Sequence, residues 1–61
     1  MKTLIIEKGF KVKTKFNEIV SIIDIKENMV RVYEDSLNLY HVSNLYFEGI
    51  SLSNYNIIIN N

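Results

Sequence analysis

At 61 residues the chain has room for one small domain, residues 1–61, and none for a separate catalytic domain. It has no cysteine, which excludes disulfides and thiolate metal sites, so the fold must be held by an apolar core or by a partner. Seven basic and seven acidic residues cancel, which argues against coating nucleic acid by bulk charge, while 48% hydrophobic content supplies a β core with apolar surface to spare.

Residues 3–7 are apolar and β-branched, a strand that Lys8-Gly9 ends. From Phe10 the alternation is clean. Phe10, Val12, Thr14 and Phe16 share one face and Lys11, Lys13 and Lys15 the other, so the expected strand has an inside and a basic, wet outside. Asn17-Glu18 turns the chain into residues 19–25, apolar on both faces, which predicts a central strand that is strongly bent or bulged. Lys26-Glu27-Asn28 predicts a three-residue hairpin connection with Asn28 in the left-handed conformation. In the following strand, residues 29–34, Val30 and Val32 are expected to point in, and Arg31 and Tyr33 out.

Asp35-Ser36-Leu37-Asn38 reads as the next turn and residues 39–42 as the next strand, with Tyr40 and Val42 on one face and Leu39 and His41 on the other. Ser43-Asn44-Leu45 predicts a single tight helical turn in which Ser43 satisfies a backbone donor, and Tyr46-Phe47-Glu48 then resumes an extended course. After Gly49, residues 51–54 are loop-like and residues 55–60 have strong β-propensity. Residues 55–59 are uncharged, hydrophobic and free of proline, so the segment must be paired, within the chain or across a homodimer.

The run Gly9-Phe10-Lys11-Val12-Lys13-Thr14-Lys15-Phe16-Asn17-Glu18-Ile19, then Ile22-Ile23-Asp24-Ile25, Met29-Val30-Arg31-Val32-Tyr33 and Leu39-Tyr40-His41-Val42-Ser43-Asn44-Leu45, resembles the Src-homology-3-like small barrels. These include KOW-type and Tudor-like modules and many small phage and bacterial proteins. The resemblance covers about residues 9–48 and rests on strand spacing and a G-x-x-V-x-T opening. It implies an all-β fold, a small antiparallel barrel of about five strands used for binding and seldom for catalysis; the C-terminal segment, outside the resemblance, is the candidate sixth strand. The ligand signatures of the family do not carry over. The chain has no tryptophan for proline-rich peptides, and Asn17-Glu18-Ile19 stands where KOW-type modules have a glycine. The sequence does not show three aromatic residues converging on a methyl-lysine cage.

Tyr46, Phe47, Ile50 and Tyr55 are the candidate protein-binding residues, because so small a barrel cannot enclose them all along with the isoleucines at both ends. An exposed strand edge could extend that surface by β-augmentation. Lys11, Lys13 and Lys15 are the alternative, a row with about 7 Å spacing that matches phosphates along one nucleic-acid strand, with Tyr33 or His41 as stacking partners. The bland reading of the row is a solvated strand face that discourages edge pairing.

His41 is the only histidine, which rules out a two-histidine metal site or a histidine dyad. No acidic spacing resembles a calcium loop, the serines lack a nucleophile elbow and the two glycines are too far apart to cradle phosphate. No enzyme activity, metal or cofactor is expected. No apolar run approaches the roughly 18 residues of a membrane span, and the charged opening is too short for a signal peptide, so a cytoplasmic location is the expectation.

Ten isoleucines and eight asparagines without an alanine suggest AT-biased coding, as in low-GC bacteria or their phages. The function expected is a non-enzymatic module that binds another protein, in a phage setting a modulator or inhibitor of a host protein. The alternatives are nucleic-acid binding through the lysine face and an architectural homo-oligomer closed by the C-terminal strand.

Overall fold

A computed structural model of the chain describes residues 2–60. It is built from nine short strands: β1 (Thr3–Ile6), β2 (Lys11–Lys13), β3 (Ile19–Ser21), β4 (Asp24–Lys26), β5 (Met29–Arg31), β6 (Tyr40–His41), β7 (Tyr46–Phe47), β8 (Ile50–Ser51) and β9 (Asn56–Ile59). Two 3-10 turns, Val42–Asn44 and Leu52–Asn54, interrupt the last third. The described residues contain no α-helix, and no helix long and apolar enough to cross a membrane.

The strands form three sheets, ordered β3-β2-β7-β8, β4-β5-β6 and β1-β9, and they do not close into a barrel. The first two are antiparallel, but β1 and β9 run parallel, with Thr3 opposite Asn56 and Ile6 opposite Ile59. The all-β, antiparallel expectation holds for the first two sheets, no sheet closes on itself, and the parallel β1–β9 pair is a correction to a wholly antiparallel fold. The C-terminal segment finds its partner within the chain.

Strands of two to four residues are not carried around the corners, and Ile22 shows how one corner is made. Its N–H donates to Phe10 C=O in the first sheet (2.9 Å), while the N–H of Ile23 donates to Arg31 C=O in the second (2.8 Å). The apolar run at residues 19–25 is therefore two strands in different sheets, bent where Ile22 is buried from both sides. The buried set draws on all three sheets and both turns: Ile6, Val12, Ile22, Val30, Val32, Val42, Leu45 and Leu52. Alternation placed Val12, Thr14, Val30 and Val32 correctly.

Several local expectations change. The second strand ends at Lys13 because Thr14 turns its side chain onto the backbone: its Oγ1 accepts the N–H groups of Phe16 (3.2 Å) and Glu18 (3.4 Å). Asn17 takes φ +67° in this turn, and Phe16 is left 77% exposed where an inward residue was expected. The β4–β5 hairpin pairs Lys26 with Met29, so its loop has two residues, and Glu27, not Asn28, takes the left-handed conformation (φ +57°). The expected strands 29–34 and 39–42 shorten to β5 and β6.

The first 3-10 turn begins one residue early, and its cap is His41, whose Nδ1 accepts the Ser43 N–H (3.1 Å). Ten residues on, the device recurs. Ser51 Oγ accepts the Ser53 N–H (3.2 Å), and Leu52 is buried as Val42 is. In both turns the closing N–H, of Leu45 or Tyr55, returns to the first carbonyl at 3.1 Å. The copies are tied together by Leu52 N–H to Leu45 C=O (2.9 Å) and Ser51 Oγ–H to Ser43 C=O (3.0 Å).

A candidate binding groove on the four-stranded sheet

Cross-strand register sets the first surface. Lys13 lies opposite Ile19 on one side and Tyr46 on the other, and Tyr46 lies opposite Ser51, so these four residues form one row across β3-β2-β7-β8. Ile19, Lys13 and Tyr46 of this row line a shallow groove of about 320 Å³, completed by Lys11, Val12, Phe47, Glu48 and Gly49. Ile19 stands 68% exposed at its edge. Isoleucine there is unexplained by the core, which lies behind the sheet. The lysine stems add apolar wall while their ammonium groups reach solvent.

The open edge of β3 adjoins this groove. The Thr14 N–H donates to Glu18 C=O and the Ile22 N–H to Phe10 C=O, so by alternation Glu18, Val20 and Ile22 face β2. The backbone N–H and C=O of Ile19 and Ser21 consequently face outward, and among the described residues β3 has no second neighbour in its sheet. A backbone edge and an apolar groove thus meet at Ile19, a residue not singled out in the sequence. The signal that could have found it is register: an isoleucine in phase with the wet residues Lys13 and Ser21.

The candidate protein-binding residues divide. Tyr46 and Phe47 line the groove, but Phe47 is also wedged between Phe10 (ring centroids 5.1 Å) and Tyr55 (6.2 Å). The Tyr55 hydroxyl donates to Phe47 C=O at 3.2 Å, so both rings chiefly hold the fold. Ile50 lies opposite Phe47 in the β7–β8 hairpin and is half exposed. The lysine row also divides. Lys11 and Lys13 lie on the sheet and line the groove, whereas Lys15 sits in the turn with its Nζ 5.3 Å from the Phe16 ring centroid. Neither Tyr33 nor His41 is on a strand next to β2, and the His41 ring is engaged as a cap, so neither extends that face.

Tyr33 belongs to a second, narrower cleft of about 150 Å³ lined by Thr14, Lys15, Phe16, Val32, Tyr40, Asn44 and Leu45. The Tyr33 and Tyr40 rings meet edge-on at 6.0 Å. The Tyr33 hydroxyl donates to the Glu18 carboxylate, and that bond holds its pKa above the ordinary 10.0. Three aromatic residues therefore do converge, in room for a single side chain.

Asp24 and Arg31, opposite each other on β4 and β5, brace the second sheet. Arg31 Nε and Nη2 both donate to Asp24 Oδ2, at 3.0 and 2.6 Å, and Nη1 reaches the carbonyls of Tyr33 and Glu34. The hydrogen bond from Arg31 is the main reason the Asp24 carboxyl titrates below its ordinary 3.8, with Lys8, 3.7 Å away, adding to the effect. Among the described residues no three histidine or acidic side chains gather closely enough to hold a metal ion.

Comparison of the chain with protein-family models, with curated proteins and with solved structures finds no match.

Proposed function

We propose that the protein is a non-enzymatic binding module that takes an extended segment of a partner protein on the β3 edge and its adjoining groove. The observation that carries this reading is Ile19, exposed over an apolar groove beside outward-facing backbone groups. Backbone pairing with Ile19 and Ser21 supplies affinity, and the groove supplies selection. Its chemistry fits an apolar side chain against Ile19 and Tyr46, with an acidic side chain beside Lys11 and Lys13. A second reading rests on the same lysines standing beside Tyr46, which suits a short single-stranded nucleic acid.

Selection from a displayed library of random peptides tests the proposal. The expected winners pair an apolar with an acidic residue, lose binding to Ile19→Asp, and keep it with Phe16→Ser, a change in the other cleft. Winners that ignore Ile19→Asp refute the groove. Binding to oligonucleotides that weakens steeply with salt and disappears in the Lys11→Glu/Lys13→Glu double variant would shift the assignment to nucleic acid.

A further inference from the structure

The strand β9 has a free edge, and together with Asn60 its sequence reads the same in both directions. Among the described residues its only sheet neighbour is β1. Asn56 and Asn60 donate their N–H groups to the carbonyls of Lys2 and Ile6, both at 2.8 Å. By the alternation of a parallel ladder Ile58 faces β1 as well, which leaves the N–H and C=O of Ile57 and Ile59 directed away from it. Side chains alternate in step. Ile58 is 49% exposed on the outer face beside its partner Ile5, at 54%, while Ile57 and Ile59 pack against the core.

Asn56-Ile57-Ile58-Ile59-Asn60 is a palindrome centred on Ile58. An antiparallel pairing of two copies about a two-fold axis at Ile58 sets Ile58 opposite Ile58, Ile57 opposite Ile59 and Asn56 opposite Asn60. In that register the pairs that exchange backbone hydrogen bonds are Ile57 with Ile59, the residues whose groups are free. Edge phase, face and sequence symmetry agree on one register, and a one-residue slip would turn core-facing isoleucines outward.

We infer that the occupant of this edge is a second copy of the chain, giving a sheet ordered β1-β9-β9-β1 across the two-fold axis. Charge supports the choice. The edge carries none, and the antiparallel arrangement brings Lys2 of one copy and Glu7 of the other to each end of the joined sheet. The free edge of β1 is less suited: the Glu7 carbonyl already accepts the Phe10 N–H (3.1 Å), and Lys2, Glu7 and Lys8 charge it. A joined edge of five residues is about 17 Å long, below the reach of standard interfaces of about 1,200 Å² and more, so the dimer is weak and reversible.

Sedimentation equilibrium from about 10 µM to about 1 mM, a range that brackets weak association, is the test. The mass should rise from 7.2 kDa toward twice that value. Ile58→Lys and Ile58→Glu each set a like charge opposite itself, and each alone should weaken association at least about tenfold. An equimolar mixture of the two should restore it, because only this register makes residue 58 its own partner. Amide exchange in the unmodified chain gives a measure independent of the variants: the Ile57 and Ile59 N–H groups should gain protection as concentration rises. A mass fixed at 7.2 kDa, charge variants that associate as before, folded variants whose mixture does not recover, or no gain at Ile57 and Ile59 would each overturn the inference.

Discussion

Replacing Thr14 with valine probes the turn that carries one wall of the aromatic cleft. Thr14 is buried, and valine keeps its shape and branching while removing the Oγ1 that accepts the Phe16 and Glu18 N–H groups at 3.2 and 3.4 Å. A net value of 0.5–1.5 kcal/mol for an ordinary bond, discounted for these lengths, gives a loss of about 1–2 kcal/mol for the pair. The main-chain bonds of the same turn, Thr14 N–H to Glu18 C=O and Asn17 N–H to Thr14 C=O, survive, so the fold should persist. Urea denaturation should show a lower midpoint with an unchanged slope, since little surface changes. Amide exchange should quicken first at Phe16 and Glu18. A midpoint unchanged or raised, with both amides as protected as before, would refute the account of why the second strand stops at Lys13.

The Asp24–Arg31 brace predicts a pH dependence of definite sign. The Asp24 carboxyl titrates below 3.8 when folded, so its contribution is present above that value and is lost as pH falls through the lowered one. Asp24→Asn should therefore lower the urea midpoint at neutral pH, with the gap to the unmodified chain closing in acid; a gap constant from neutral pH down into strong acid would contradict this. In the β7–β8 loop, Glu48 (φ +53°) precedes Gly49 (φ +78°), the conformation that favours Asn-Gly. Glu48→Asn should raise stability by about 0.5 kcal/mol, read as a higher thermal midpoint, and a lower midpoint would count against the turn assignment.

The turns between β2 and β3, β4 and β5, and β5 and β6, the inward valines and the bend near Ile22 were legible because each is written within a few residues, as alternation or as its interruption, whereas the β7–β8 hairpin was read as a boundary followed by a loop. The parallel pairing of β1 with β9 was not, since nothing within either strand specifies a partner 53 residues away. Lys15 and Phe16 defeated the alternation because Thr14 can bond to its own backbone as readily as it can extend a strand. His41 lies on β6 as its alternation suggests, but its second role as a cap went unread because a ring nitrogen is a less familiar cap than a hydroxyl. One signal was present and unused: Ser43-Asn44 recurs as Ser53-Asn54 at a ten-residue offset, each pair behind a buried aliphatic residue. Of the groove, Lys11, Lys13, Tyr46 and Phe47 could be named from the sequence, but only the register shows that they share a wall with Ile19.

The β1–β9 ribbon also fixes an order of events. Closing a loop of 53 residues costs about 3.5 kcal/mol beyond a constant term, whereas the two-residue hairpins close at little cost, so the middle of the chain assembles first and the ribbon zips last. The first strand waits, with Leu4, Ile5 and Ile6 unpartnered, until residues 56–59 are available to pair with it. By the same reasoning the ribbon is the seam at which the native molecule opens, and its opening frees two uncovered apolar strands at once. Exposure of apolar strand edges under stress should then follow the parting of that seam more closely than the unfolding of the core behind it.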